Sequence, residues 1–303
     1  MIMKERYSVI LFLTWDCNLR CTYCYETNKC YRNMKFDTAK KGIDFFMNYA
    51  KHVHFQFFGG EPLLQFELMK KIAGYLRYYY PERYSFNIYT NGTLITDEVL
   101  DFFRENKVHL TLSIDGAKYT QDMNRLYKDG QGTFDTLKPI LDKVINMNLP
   151  RRIRMTVTPN NCMHLFENIK FFYEKYCITD IQEEVDRTVF WKKEDIDILI
   201  QQYKDIVDYL VAHYKADESF YWSNYETRIL PFINNPKQEK RPISRCGSSE
   251  NMCSMDTDGT LYPCQKFIVN QTLPIGNVNE GFNETQRDIV RNFTTCTVEK
   301  DNL

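Results

Sequence analysis

The sequence predicts an α/β fold, a parallel sheet whose strands alternate with helices. Three observations predict it. Apolar runs of strand length recur, each followed by a stretch with helical patterning, in a repeat of about 30 residues. The first run, Ser8 to Trp15, is apolar throughout, as strands covered on both faces are. The unusual residues fall directly after the strands, where parallel barrels gather their working groups.

The elements follow in order. A strand over 8–15 leads into a cysteine-rich loop. A helix is expected over 36–50, begun by Asp37 or Thr38 as cap and placing Phe45, Phe46 and Tyr49 on one side. The strand at 53–58 ends in Gly59-Gly60-Glu61-Pro62, where two glycines allow positive φ and close approach of a ligand. A helix over 65–80 stops before Pro81. The strand at 84–89 ends in Thr90-Asn91-Gly92, and Thr96 caps a helix reaching Asn106. The strand at 108–114 ends in Ser113-Ile-Asp115-Gly116. A helix over 134–147, a strand over 152–158 and a helix over 163–176 follow.

A sixth strand is expected within 178–189. Its acids Glu183, Glu184 and Asp186 suggest a solvated sheet edge, the alternative being that one of them faces the substrate as a base or holds a cationic group. Cys162 and Cys177 have no ligand neighbours and read as packed apolar cysteines. A long amphipathic helix over 193–214 completes this region. The polar, Pro-flanked stretch 234–242 marks a boundary, giving domains 1–233 and 234–303.

The net charge of −1 offers no footprint for nucleic acid or an anionic membrane. No run reaches the roughly 18–20 apolar residues of a membrane span, and Met1 to Tyr7 lacks a signal-peptide pattern. These features predict a cytoplasmic protein. Ten cysteines are many where disulfides rarely persist, so metal ligation is expected for most.

The stretch Cys17-Asn-Leu-Arg-Cys21-Thr-Tyr-Cys24 carries the most specific signal. Three soft thiolates at this spacing suit an iron–sulfur cube, with one iron left free of protein ligands. A structural zinc site wants four closed ligands, commonly as two separated pairs, which this loop does not offer. Near the other end, Cys246, Cys253 and Cys264 fall close together. Asp256-Thr-Asp258-Gly259 reads as a hairpin turn setting Cys253 and Cys264 across from one another. Without nearby histidine, a second cluster is favoured over zinc.

The C-x-x-x-C-x-aromatic-C loop, with Tyr23 at the aromatic position, resembles the signature of the radical S-adenosylmethionine (SAM) enzymes. Gly59-Gly60-Glu61-Pro62 lies 35 residues past Cys24 and resembles that family's GGEP motif. The resemblance implies a partial (β/α)6 TIM-like barrel. It implies a [4Fe–4S] cluster on Cys17, Cys21, Cys24 and SAM, the amino group of SAM meeting the Gly59–Glu61 backbone. By the same analogy Ser113 and Arg125 would grip the SAM carboxylate, and Thr90, Asn91 or Asp115 would lie near the ribose. Thr156 to Thr158 would lie beside the adenine.

Cys246, Gly259-x-x-x-x-Cys264 and the following Ile275-Gly-Asn-Val resemble the auxiliary-cluster domain of the SPASM and twitch subgroups. Four cysteines suffice for one auxiliary [4Fe–4S] cluster. Cys296 either closes that cluster or leaves an open iron. The resemblance implies hydrogen abstraction from a peptide or protein side chain, with oxidation or cross-linking, and a reductant such as flavodoxin or ferredoxin. The absence of a leader-binding domain before the barrel weakens the peptide reading. The alternative is a twitch-type dehydrogenase of a small molecule such as an aminocyclitol. Sulfatase maturation is less favoured, because Gln265 stands where those enzymes carry an Asp base. A non-catalytic cluster protein is the remaining reading.

Overall fold

In a computed structural model of the chain, the described residues are 3–147, 149, 151–215, 222 and 247–294. Six parallel strands form the frame: β1 (Lys4–Thr14), β2 (Ala50–Gly59), β3 (Tyr84–Thr90), β4 (His109–Ser113), β5 (Arg151–Val157) and β6 (Ile181–Val185). They pair in sequence order, and their helices are α1 (Phe36–Tyr49), α2 (Phe66–Tyr79), α3 (Asp97–Glu105), α4 (Lys118–Asn124), α5 (Phe134–Asn146), α6 (Leu165–Tyr176) and α7 (Lys193–Lys215). The sheet does not close among the described residues, so the expected partial barrel is observed.

Pleating sorts the side chains. Val9, Leu11 and Leu13 of β1, Val53, Phe55 and Phe57 of β2, and Ile153, Met155 and Val157 of β5 pack into one core with the helices. Each large apolar side chain buried there contributes about 1.5–3 kcal/mol. The other face is largely polar. Gln56 donates to Ser8 at 2.7 Å, His54 meets Ser85 at 2.9 Å, and Thr111 donates to Asn87 at 3.2 Å. This lumen is a place for ligands rather than a packed apolar layer.

The C-terminal segment extends the same sheet from the free side of β1. There β7 (Met252–Met255) pairs parallel with β1, and β8 (Thr260–Tyr262), β9 (Gly276–Asn277) and β10 (Gly281–Phe282) follow antiparallel. The β7–β8 hairpin turns at Asp256–Gly259 as expected. Two helices join it, α8 (Gln265–Asn270) and α9 (Glu284–Thr294). Arg287 of α9 is buried, donating to the Ser249 carbonyl at 2.8 Å and the Tyr49 hydroxyl at 3.1 Å. The expected boundary at 233/234 lies outside the described residues.

Several details differ from the sequence expectations. Helix α1 is preceded by Lys35 with no side-chain cap; Asp37 lies inside its first turn, where an acid favours the helix dipole. Glu183 is not solvated: it is buried and accepts from Trp222 Nε1 at 2.8 Å. Trp222 also bridges to Ile181, covering this edge of the sheet. Cys162 is buried as expected, but Cys177 is exposed and closes α6 at φ +51.

Candidate active site at the carboxyl ends of the strands

The loop after β1 carries Cys17, Cys21 and Cys24, and a second loop holds it down. Arg20 and Thr22 donate their backbone N–H groups to the carbonyls of Leu126 at 2.7 Å and Asn124 at 2.9 Å. The Thr22 hydroxyl donates to Asn124 Oδ1 at 2.7 Å. Cys17 is buried and the other two thiols are half-buried. Burial, then the neighbouring Glu61 carboxylate, pushes the Cys17 thiol up to about 12, with Lys29 opposing. Burial also raises the Cys21 thiol, with Arg125 opposing. Such thiols ionise only against a strong positive partner, which a metal centre provides.

The end of β2 is built against this loop. Gly60 N–H donates to the Thr14 carbonyl and Glu61 N–H to the Asp16 carbonyl, both at 2.9 Å. A Cβ on Gly60 would stand 2.2 Å from the Asp16 oxygen and 3.1 Å from Cys17 Cβ; on Gly59, at φ +136, it would stand 2.4 Å from the Thr14 oxygen. Only glycine lets the two backbones pass so closely.

The Glu61 carboxylate is buried. It accepts from the Thr90 hydroxyl at 2.7 Å, Asn91 N–H at 2.8 Å and Leu63 N–H at 3.0 Å. Burial holds its carboxyl up at about 7 against these three donors. Glu61 thus braces the end of β2 to the end of β3. Asn91 Nδ2 donates to Asn18 Oδ1 at 2.9 Å and lies 4.0 Å from Cys17 Sγ.

A third brace lies at the end of β4. Asp115 Oδ2 accepts from the Tyr23 hydroxyl at 2.6 Å; Oδ1 accepts from Arg125 Nη2 at 3.0 Å and Thr156 N–H at 2.9 Å. The Arg125 guanidinium also lies 5.4 Å from the centre of the Tyr23 ring. Asp115 is therefore the knot between the cysteine loop, β5 and the segment after α4. Arg125 Nε and Asn124 Nδ2 are buried without a partner. These orphaned donors beside three thiols suit an anionic ligand and a metal centre held together. Ser113 is half-buried at the end of β4.

Sequence reasoning missed the charged pair inside the cysteine loop. Lys29 Nζ lies 3.3 Å from Cys24 Sγ and 3.1 Å from Glu26 Oε2. Among the described residues no three His, Cys, Asp or Glu side chains converge on a single metal ion. Also missed were Asn168, whose Oδ1 accepts from Ala117 N–H at 3.0 Å, and the contacts of Asp256, read from the sequence only as a turn residue. Asp256 accepts from Trp15 Nε1 at 2.9 Å and pairs with Arg32 at 3.2 Å. Side chains distant in sequence leave no local signal of such contacts.

The second cysteine group is only partly visible. Cys246 and Cys296 lie outside the described residues. The Cys253 thiol turns into the main core and faces the Tyr7 hydroxyl. Burial pushes it up to about 12. Cys264 is half-buried just before α8, within electrostatic reach of Tyr25 beside the first cysteine loop. The hairpin forms, but it does not direct Cys253 and Cys264 to one place.

A cysteine loop on β1, a double-glycine turn on β2 and a polar lumen define a class of α/β enzymes that hold a metal cluster at the strand ends. The Radical SAM superfamily matches residues 12–172, and the chain belongs to that superfamily. The family takes a [4Fe–4S] cluster and SAM as cofactors. An uncharacterized protein of Methanocaldococcus jannaschii, MJ0907, is 39% identical over 165 residues, 54% of this chain and 57% of that protein. The chain thus matches little more than half the length of that relative. A cysteine-type anaerobic sulfatase-maturating enzyme of Clostridium novyi is 24% identical over 99% of this chain and 84% of its own length. The solved structure of native anSMEcpe with bound AdoMet and Cp18Cys peptide is similar in fold. Its TM-score is 0.82 at 21% identity, covering 98% of this chain and 85% of the other.

Proposed function

We propose that this chain reductively cleaves SAM and directs the resulting radical at a peptide or protein side chain, which it oxidises or cross-links. The observation that carries the reading is the junction of two loops: Gly60 and Glu61 donate to the base of the Cys17–Cys24 loop at a distance that excludes any side chain at Gly60. When bound, the cluster and SAM supply the electron transfer and the 5′-deoxyadenosyl radical. The chain supplies the rest. Cys17, Cys21 and Cys24 would hold three irons. The Gly59–Gly60 backbone would meet the ammonium group, with Glu61 fixing the turn. The buried, unpartnered Nε of Arg125 and the Ser113 hydroxyl would receive the carboxylate. Thr90 and Asn91 would frame the sugar, Asp115 holds the cysteine loop and Arg125 in place beside it, and the polar lumen between β2 and β5 admits the substrate.

A peptide substrate is favoured because a homologue and a fold neighbour act on or bind peptidic partners by name. Sulfatase maturation is the second reading, favoured by that relative's coverage of nearly the whole chain. Gln265 opens α8 directly after Cys264, and an amide there has no acid–base capacity. We therefore place side-chain oxidation or cross-linking of another peptide first. The auxiliary cluster on the C-terminal cysteines, a flavodoxin- or ferredoxin-type donor and a cytoplasmic site belong to the same proposal. Among the described residues no helix is long and apolar enough to cross a membrane.

The test is anaerobic reconstitution followed by dithionite and SAM. Release of 5′-deoxyadenosine is expected, and its absence overturns the reading. Iron near two cubes, at about four irons each, is expected; one cube removes the auxiliary site. Incubation with a sulfatase-derived peptide and with short peptides encoded near this gene then separates the two peptide readings.

A further inference from the structure

The pair Lys29–Glu26 has no part in the function proposed so far. Its side chains are only 7% and 6% exposed, although lysine and glutamate are seldom buried. Taking two charges out of water carries a large desolvation cost, and mutual attraction alone often fails to offset it. The Lys29 ammonium has a second partner: Cys24 Sγ at 3.3 Å. Among the described residues it is the charged donor to that sulfur. The other two thiols have different hydrogen-bond donors or none from Lys29, Leu19 N–H and Asn91 Nδ2 lying at Cys17, while the Lys29 charge reaches both more weakly, beside that of Arg125 at Cys21.

We propose that Lys29 is a positioning residue that donates to the cluster sulfur of Cys24 and, with Glu26 as its counter-charge, sets how readily the cluster accepts its electron. This rests on the reading of Cys17–Cys24 as the cluster loop. The step at issue is one electron passing from an external reductant to the oxidised cube, with no bond made or broken. The cluster gains one negative charge, so a nearby ammonium favours the reduced state and a carboxylate disfavours it. Hydrogen bonds to cluster sulfurs and local net charge are known levers on such potentials.

The experiment is a redox titration of the anaerobically reconstituted protein, followed by electron paramagnetic resonance, with iron counted in each variant. Wild-type protein is measured first. If it takes up no iron, the cluster reading itself fails, before any variant bears on Lys29. At a fixed solution potential, Lys29→Met is expected to lower the reduced-to-oxidised ratio about tenfold, equivalent to about 59 mV for a one-electron couple. Glu26→Gln is expected to raise it, and Lys29→Arg to stay close to wild type. Opposite shifts from the two charge removals are the signature, since general loosening of the loop would move both the same way. Unmoved potentials, or shifts of one sign, overturn the proposal. Should Lys29→Met lose iron, Glu26→Gln decides alone: an unchanged or lowered ratio overturns it.

Discussion

Tyr23 and Asp115 meet at 2.6 Å, one on the cysteine loop and the other at the end of β4. The bond crosses 92 residues of sequence and ties the loop that carries the thiols to the frame that carries the lumen. The two partners are not equivalent. Tyr23→Phe removes one donor and leaves Asp115 with Arg125 and Thr156 N–H. The expected loss is about 1.5–3 kcal/mol, the range for one hydrogen bond to a charged acceptor. Asp115→Asn leaves the buried Arg125 guanidinium without its counter-charge, and breaking a buried pair costs about 3–5 kcal/mol. Denaturant titration of the two variants checks the order; equal losses would show that Asp115 is not the knot.

Gly60 allows a sharper comparison. Gly60→Ala puts a methyl group 2.2 Å from the Asp16 carbonyl oxygen and against Cys17, where backbone must give way. We expect a loss at or above the upper end of the roughly 1–3 kcal/mol typical of overpacking, together with loss of cluster iron. Gly74 in α2 has open space where its Cβ would stand, so Gly74→Ala should gain about 0.5–1 kcal/mol from helix propensity and keep its iron. Melting curves and iron counts on both variants give the answer, and a Gly60→Ala protein that loads iron normally would refute the close junction.

The strand–loop–helix repeat forces Cys17–Cys24, Gly59–Glu61, Thr90–Gly92 and Ser113–Asp115 to one end of the sheet, so their position was legible from order alone. The roles of Glu61 and Asp115 as braces were not. A carboxylate after a strand looks alike whether it faces a ligand or accepts from three neighbours, because its donors come from other elements. Lys29 and Glu26 carry no signal in the sequence, since burial leaves no local trace. Helix α4 was passed over because its Lys118–Asn124 stretch has little apolar periodicity; it is held by tertiary bonds such as Asn168 Nδ2 to the Thr120 hydroxyl at 3.0 Å. Glu183 reads as solvated until Trp222, some 40 residues on, is seen to cover it.

Asp256 fastens the C-terminal hairpin to the cysteine loop. Trp15 Nε1 and Thr257 N–H both donate to its Oδ1, at 2.9 and 2.6 Å, while Arg32 pairs with Oδ2. Asp256→Ala strands two buried donors, at about 1–3 kcal/mol each. The Arg32 side chain is 44% exposed, so its ion pair is worth about 1 kcal/mol or less, with a similar amount from its position 4.2 Å over the Trp15 ring. Arg32→Met should therefore cost clearly less than Asp256→Ala. Tryptophan fluorescence during unfolding measures both; a larger loss for Arg32→Met would place the fastening at the cation.

Cys253 and Cys264 separate packing from ligation. The Cys253 thiol is fully buried in the main core beside Tyr7, on a strand paired to β1. Cys264 is half-buried, within electrostatic reach of Tyr25, the residue after Cys24. Buried cysteine among apolar neighbours behaves as a small hydrophobe. Cys253→Ala should therefore keep the full iron content and lose roughly 1–2 kcal/mol of stability, the lower part of the range for large-to-small core changes. Cys264→Ala should lose about one cube, near four irons, with SAM cleavage at the first cluster retained. Iron and sulfide analysis of the two reconstituted variants decides the assignment. Equal iron loss from both would require the β7–β8 hairpin to rearrange when the auxiliary cluster is inserted, turning Cys253 out of the core to meet it.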